Sequence, residues 1–176
     1  QKGESPFNAE LRGADFTCMA LGVNGRYLLT GSSDRKLRIW NVKKQERLRT
    51  SAEQEDDLHF IALFEDQQKA LSLSKSGLLR QWDLEHRSKA QPIMRGPAVQ
   101  RFAASKDGLH AISSAGNSVV AWDLEETKAE QFNVPAQAVN SVAISANGKF
   151  ALTGSSDNVV RLWDLKRRKL IKVLKG

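Results

Sequence analysis

The sequence predicts an all-β fold of four successive four-stranded antiparallel sheets, and three observations predict it. Every tryptophan ends the same short apolar pattern, and Trp40, Trp82, Trp122 and Trp163 stand 42, 40 and 41 residues apart. A turn precedes each of them, at Asn24-Gly25, Asp66-Gln67, Asp107-Gly108 and Asn147-Gly148. Pro92 and Pro135 fall in or beside the most polar segment of their repeats. A fixed period near 40 residues marks an array of one supersecondary unit.

The elements of the unit follow in chain order. The first strand is a short apolar segment with a recurring central alanine: Met19-Ala20-Leu21, Ile61-Ala62-Leu63, Phe102-Ala103-Ala104 and Val142-Ala143-Ile144. A small side chain kept at one place implies a crowded position where neighbouring sheets meet. The turn comes next, and Asn-Gly and Asp-Gly favour it because both residues tolerate positive φ. The second strand is Tyr27-Leu28-Leu29-Thr30, Ala70-Leu71-Ser72-Leu73, Leu109-His110-Ala111-Ile112 or Phe150-Ala151-Leu152-Thr153. These runs are short, partly β-branched and bounded by polar turns, which favours strand over helix. The third strand ends at the tryptophan. A charged turn then leads to a polar fourth strand, near Gln45–Thr50, Ala90–Arg95, Ala129–Val134 and Lys169–Leu174. Proline removes a ladder hydrogen bond, which only an outer edge can spare. The fourth strand is therefore the outer edge, and the pattern matches the blades of a radial propeller.

At this point the chain resembles the WD-repeat (Trp-Asp repeat) β-propeller family over nearly its whole length. The tryptophan is followed by Asp83, Asp123 and Asp164, and by Asn41 in the first copy. The resemblance implies an aspartate in the turn before the tryptophan strand, where Asp34 and Asp157 stand, while Ser76 and Gly116 replace it in the middle units. It also implies Gly-His before each first strand, of which Gly13-Ala14 keeps only the glycine. The family's His–Asp–Ser/Thr–Trp hydrogen-bond network is therefore not expected to assemble in full. On this alignment the whole of 1–176 is a partial propeller. It has an outer strand at 7–12 and blades at about 15–50, 57–95, 98–134 and 138–174. Phe7–Arg12 aligns with the fourth strands yet precedes the first blade. Family ring closure would use it to finish a later blade, so the chain reads as four blades of a seven-bladed ring. The remaining blades would come from the rest of the chain or from another chain; two copies forming an eight-bladed ring is the alternative.

Composition bounds the rest. At 176 residues, 40% hydrophobic and 27% charged, the chain has the composition of a globular domain with a core of its own. No apolar run approaches the length that spans a bilayer. The start, Gln1-Lys2-Gly3-Glu4-Ser5-Pro6, lacks both Met and a signal-peptide core and reads as cut or processed. A single Cys18 and no Asn-x-Ser/Thr acceptor point towards a reducing, intracellular compartment, cytoplasmic or nuclear.

No catalytic, metal-binding or cofactor-binding constellation stands out. His59, His86 and His110 occupy unrelated repeat positions, Cys18 has no partner for a metal knuckle, and no Gly-rich phosphate loop precedes a helix. Trp40, Trp82, Trp122, Trp163, Asp34 and Asp157 are read as structural. The turns after the tryptophan strands are mostly basic: Lys43, Lys44 and Arg47, then Arg87 and Lys89, then Lys166, Arg167, Arg168 and Lys169. The loop entering the second unit is acidic, with Glu53, Glu55, Asp56 and Asp57. A basic face could meet polyanions, consistent with a net charge of +7, but no aromatic interleaves with the basic turns as a stacking platform would. The leading expectation is a non-enzymatic scaffold that presents loops to other proteins. Its candidate contact residues are Asp15, Arg35, Asp57, Lys75, Asn117, Gln137 and Asn158. Variable loops on a uniform frame are how recognition surfaces are built. Polyanion or nucleic-acid binding through the basic turns is the alternative.

Overall fold

The structure is a computed structural model that describes residues 14–51, 54–64, 66, 68–84, 91–136 and 138–175. These residues form sixteen strands and no helix. The first sheet holds β1 (Phe16–Leu21), β2 (Tyr27–Ser32), β3 (Leu37–Asn41) and β4 (Glu46–Thr50). The second holds β5 (Leu58–Leu63), β6 (Lys69–Ser74), β7 (Leu78–Asp83) and β8 (Gln91–Arg95). The third holds β9 (Arg101–Ala104), β10 (His110–Ala115), β11 (Ser118–Asp123) and β12 (Lys128–Asn133). The fourth holds β13 (Val139–Ile144), β14 (Phe150–Ser155), β15 (Val159–Asp164) and β16 (Lys169–Lys175). In every sheet the strand order follows the chain, so each is an up-and-down meander of the kind a WD-repeat blade requires.

The register explains why the meander repeats so regularly. The recurring alanines face equivalent large residues on the second strand: Ala20 opposite Leu29, Ala62 opposite Leu71, Ala103 opposite Ile112 and Ala143 opposite Leu152. The first strands of sheets one, two and four slip register by one residue at Thr17, His59 and Asn140. Such bulges sharpen the local twist. Outer strands β4 and β16 slip likewise opposite the tryptophan, at Leu48 and Ile171. The first hairpin turn closes as its sequence predicts: Gly25 takes φ 64°, its N–H donates to Gly22 O at 2.8 Å, and Asn24 Oδ1 accepts from Arg26 N.

Two compact units organise the cores, Gln1–Lys75 with Arg80–Gln91 and Ser76–Leu79 with Pro92–Gly176. In the first, Leu29, Leu37 and Ile39 of sheet one pack with Leu58, Ala70 and Trp82 of sheet two. In the second, Ile112, Val119 and Val134 pack with Val139, Ala151, Trp163 and Leu165 of sheet four. Trp163 meets Phe132 of β12 with ring centroids 4.9 Å apart. Trp122 lies so close over Gly96 that a Cβ there would come within 2.4 Å of its ring. A tryptophan therefore covers the outer end of the preceding repeat, which fixes the sheet-to-sheet contact within the second unit.

The alanine rule holds where a sheet is covered. Ala103 packs against the second core, whereas Ala143 is exposed beside Leu152 and Phe150 on the other face of sheet four. Val160 and Leu174 continue that apolar face in the light of solvent, as expected for an uncovered sheet. The proposed outer strand at 7–12 lies outside the described residues.

Candidate functional site

Antiparallel order places the entry to each first strand beside the turn between the second and third strands. Backbone bonds tie these two segments together in three sheets. Ser33 N donates to Asp15 O at 2.8 Å and Asp15 N to Ser33 Oγ at 3.0 Å. Lys75 N donates to Asp57 O at 3.2 Å. In sheet four Ser156 N donates to Ala138 O at 2.9 Å. The linking segments are stitched to the same turns: Gln54 N donates to Arg35 O at 2.8 Å, Val134 N to Asn117 O at 2.9 Å and Val139 N to Gly116 O at 2.7 Å.

The structure thus places Asp15 with Arg35 at one end of sheet one and Asp57 with Lys75 at the same end of sheet two. Asn117 and Asn158 hold the matching turns of sheets three and four. Asp15, Asp57, Lys75, Asn117 and Asn158 are exposed, and Arg35 is half-buried. Arg35 and Asn158 take left-handed φ of 57° and 60°, a conformation that turns their side chains out of the ladder. Gln137 lies outside the described residues.

Beneath these turns sits a network that the sequence reading saw only in part. The indole Nε1 of each tryptophan donates to a second-strand hydroxyl: Trp40 to Thr30 (3.0 Å), Trp82 to Ser72 (2.8 Å), Trp122 to Ser113 (2.9 Å) and Trp163 to Thr153 (2.9 Å). All four tryptophans are at most 6% exposed, so each bond satisfies an otherwise stranded donor. The turn aspartates pair with arginines instead of histidines. Arg38 holds both oxygens of Asp34, and Arg161 both oxygens of Asp157. The hydrogen bond from Arg38 holds the Asp34 carboxyl far below the usual carboxylate range, and Arg161 lowers Asp157 in the same way. Arg38 and Arg161 went unrecognised in the sequence, although their shared spacing of four residues from the aspartate was a usable signal.

The other end of the sheets carries the basic turns. Lys43 and Lys44 line an open cleft of about 430 Å³ with Asn24, Arg26 and Asn41. Several of these cations are already engaged. Lys44 lies 3.8 Å from Glu46, Arg167 3.9 Å from Asp164, and Arg168 pairs with Glu130, which also holds Lys128. Arg26 stacks over Tyr27, 4.9 Å from the ring centroid. Arg47 and Lys169 stand on the outer strands opposite Trp40 and Asp164, and Lys166 is exposed. Arg87 and Lys89 lie outside the described residues, as do Glu53 and His86.

Of the remaining reactive groups, Cys18 is half-buried and its thiol donates to Leu58 O at 3.5 Å; burial pushes its pKa up. His59 sits edge-on to Phe60, and the His110 ring lies against Gly148. Among the described residues no group of three His, Cys, Asp or Glu side chains could hold a metal ion.

A family model, WD domain, G-beta repeat, matches residues 7–41 and 129–164. The second match runs from outer strand β12 through β15 and stops at Asp164, the residue after Trp163. The two matches, 71 of the 176 residues, support a WD-repeat family. Both matched WD repeats are those whose turns carry Asp34 and Asp157; the unmatched middle sheets keep the tryptophan bond but have Ser76 and Gly116 in the turn. WD repeats are generally protein-interaction scaffolds and typically non-catalytic. No curated protein matches the chain.

Proposed function

We propose that this WD-repeat chain is a non-catalytic recognition module that binds other proteins through the strand-entry ends of its sheets. One observation carries the reading. Four copies of one hydrogen-bonded frame present different side chains at equivalent turns: Arg35, Lys75, Asn117 and Asn158, with Asp15 and Asp57 beside the first two. The tryptophan bonds and the Arg–Asp pairs lock the frame, so the turns can vary without cost to the sheets beneath. A rigid scaffold bearing variable polar loops is suited to recognition rather than to one fixed reaction.

The test is affinity capture from the source cells with two variants. Arg35→Glu/Lys75→Glu/Asn158→Lys changes the strand-entry ends; Lys43→Glu/Lys44→Glu/Lys166→Glu changes the opposite ends. Loss of the same partner proteins with the first variant and their retention with the second is the expected result.

A second reading rests on the cleft formed by Arg26, Lys43 and Lys44, whose three cations and about 430 Å³ would admit a phosphate chain. Binding of duplex or single-stranded nucleic acid would then fall steeply with salt, since each phosphate contact releases counterions. The pairing of Lys44 with Glu46 and the stacking of Arg26 on Tyr27 weigh against it. Retention of a nucleic acid near physiological salt, lost in the Lys43→Glu/Lys44→Glu/Lys166→Glu variant, would favour this reading over the first.

A further inference from the structure

Three of the four third strands carry an arginine two residues before the tryptophan: Arg38, Arg80 and Arg161. All three are buried, being 8, 7 and 6% exposed. Their partners differ. Arg38 and Arg161 each grip a turn carboxylate with two terminal nitrogens, and each also reaches a serine, Ser32 or Ser155. In both, the only unpartnered nitrogen is Nε. Around Arg80 the turn position holds Ser76, and the carboxylate comes from elsewhere: Glu55 in the loop that enters sheet two, 3.7 Å from Nη2. That separation is beyond a hydrogen bond. Here it is Nη1, a terminal nitrogen, that is buried without a hydrogen-bond partner.

The two sides of this contact are unequal. The Arg80 side chain is 9% exposed, whereas that of Glu55 is 72% exposed. A buried guanidinium is fixed in place; an exposed glutamate on a loop can swing away. A buried terminal N–H left unsatisfied is costly, and a carboxylate that used both terminal nitrogens would remove that cost. The sister sites display that arrangement, with Asp34 at 3.1 and 2.6 Å from Arg38 and Asp157 at 3.2 and 2.5 Å from Arg161.

We propose that Arg80 is an exchangeable carboxylate seat, capped by Glu55, that takes an aspartate or glutamate side chain of a partner protein. The inference rests on the protein-recognition reading and names the chemistry that would be recognised. The surroundings narrow it further. Asp56 and Asp57 follow Glu55 in the same loop, so the segment that caps Arg80 is acidic. An entering anion must therefore be small, singly charged and flanked by cations. A polyphosphate or nucleic acid is disfavoured, because its several negative charges meet the consecutive carboxylates of the capping loop. A Lys-Asp-Lys type segment fits: its aspartate meets Arg80 and its lysines meet the acidic loop.

The experiment uses the whole chain and fluorescent capped peptides containing Lys-Asp-Lys, Lys-Asn-Lys or Lys-phosphoserine-Lys, with binding read by anisotropy. Wild type should bind the aspartate peptide at least fivefold more tightly than the other two. Ser76→Asp restores the turn carboxylate from within and should abolish the preference. Asn147→Asp makes the same charge change in a turn with no arginine to fill and should retain it. Glu55→Gln, a change at an exposed side chain, should raise affinity for the aspartate peptide severalfold, and keeps the test valid should Ser76→Asp fail to fold. No preference in wild type, a preference that survives Ser76→Asp, equal or tighter binding of the phosphoserine peptide, or weaker binding by Glu55→Gln would each overturn the proposal. If the preference fails while the strand-entry variant still loses its captured partners, the seat is refuted and the recognition reading stands.

Discussion

Arg38 reaches back one turn to hold both carboxylate oxygens of Asp34, Nη1 at 3.1 Å from one and Nη2 at 2.6 Å from the other. Arg161 does the same with Asp157, 123 residues along the chain in both cases. The pair fastens the tight turn to the strand that carries the tryptophan. It converts a short connection into a rigid platform for the residue that follows, half-buried Arg35 in one sheet and exposed Asn158 in the other.

Stability in acid should report this pair. The Asp34 carboxyl is held below its ordinary value by Arg38, so its contribution is fully present above the unfolded carboxylate pKa, about 3.9, and is lost as pH falls below it. Asp34→Asn should cost about 1–3 kcal/mol at neutral pH and flatten the acid limb of the stability curve. Urea unfolding from pH 7 down to pH 2 measures both; identical acid limbs for the two proteins would mean that the pair stabilises nothing.

The tryptophan bond can be separated from tryptophan packing. Trp163→Phe keeps most of the aromatic contact with Phe132 but strands the hydroxyl of Thr153, which is 0% exposed. It should cost about 1–3 kcal/mol, and Trp163→Ala about 3–5 kcal/mol. A Trp163→Phe variant as stable as the wild type in chemical denaturation would show that the hydrogen bond carries no weight.

Two turn glycines should respond very differently to alanine. Gly25 has open space around the new Cβ and only its φ of 64° to pay for, a cost of about 1–2 kcal/mol. Gly77, at φ 87°, would bring the Cβ to 2.2 Å from the Pro97 carbonyl oxygen and 2.4 Å from that of Gly96. Backbone would have to move. Thermal melts should show Gly77→Ala far below Gly25→Ala, and matching melts would contradict the close approach.

Much of this frame was legible in the sequence because its determinants are local. The tryptophan period located β3, β7, β11 and β15, and the Asn-Gly and Asp-Gly turns located the hairpins before them. Proline and polarity marked the outer strands. The network under the turns was not legible for a physical reason: the partner of Asp34 is set by how tightly the turn curls, and a sequence read as strands treats residue 38 as one more ladder position. The Arg80–Glu55 contact was hidden more deeply, because Glu55 comes from the loop between sheets. The acidic loop was read as charge alone, and the gap left by Ser76 was not connected to it. The bulges at Thr17, His59 and Asn140 share no residue type that would announce them.

The thiol offers an independent check on the first core. Cys18 donates to Leu58 O, a residue of the neighbouring sheet, and burial raises its pKa. Less thiolate and less access both slow attack on a disulfide reagent. Native protein at pH 8 should react with a colorimetric aryl disulfide far more slowly than urea-unfolded protein. Comparable rates would place the thiol in solvent and sheets one and two apart.

The central claim, that partners dock on the strand-entry ends, is tested most directly by site-specific photo-cross-linking. A benzophenone side chain is placed singly at Lys75 or Asn117, and for comparison at Lys43 or Lys166 on the opposite ends. Irradiation in source-cell lysate, followed by mass spectrometry, identifies what each position touches. Discrete protein adducts from Lys75 and Asn117, absent from Lys43 and Lys166, are the predicted result; protein adducts confined to Lys43 and Lys166 would contradict the account.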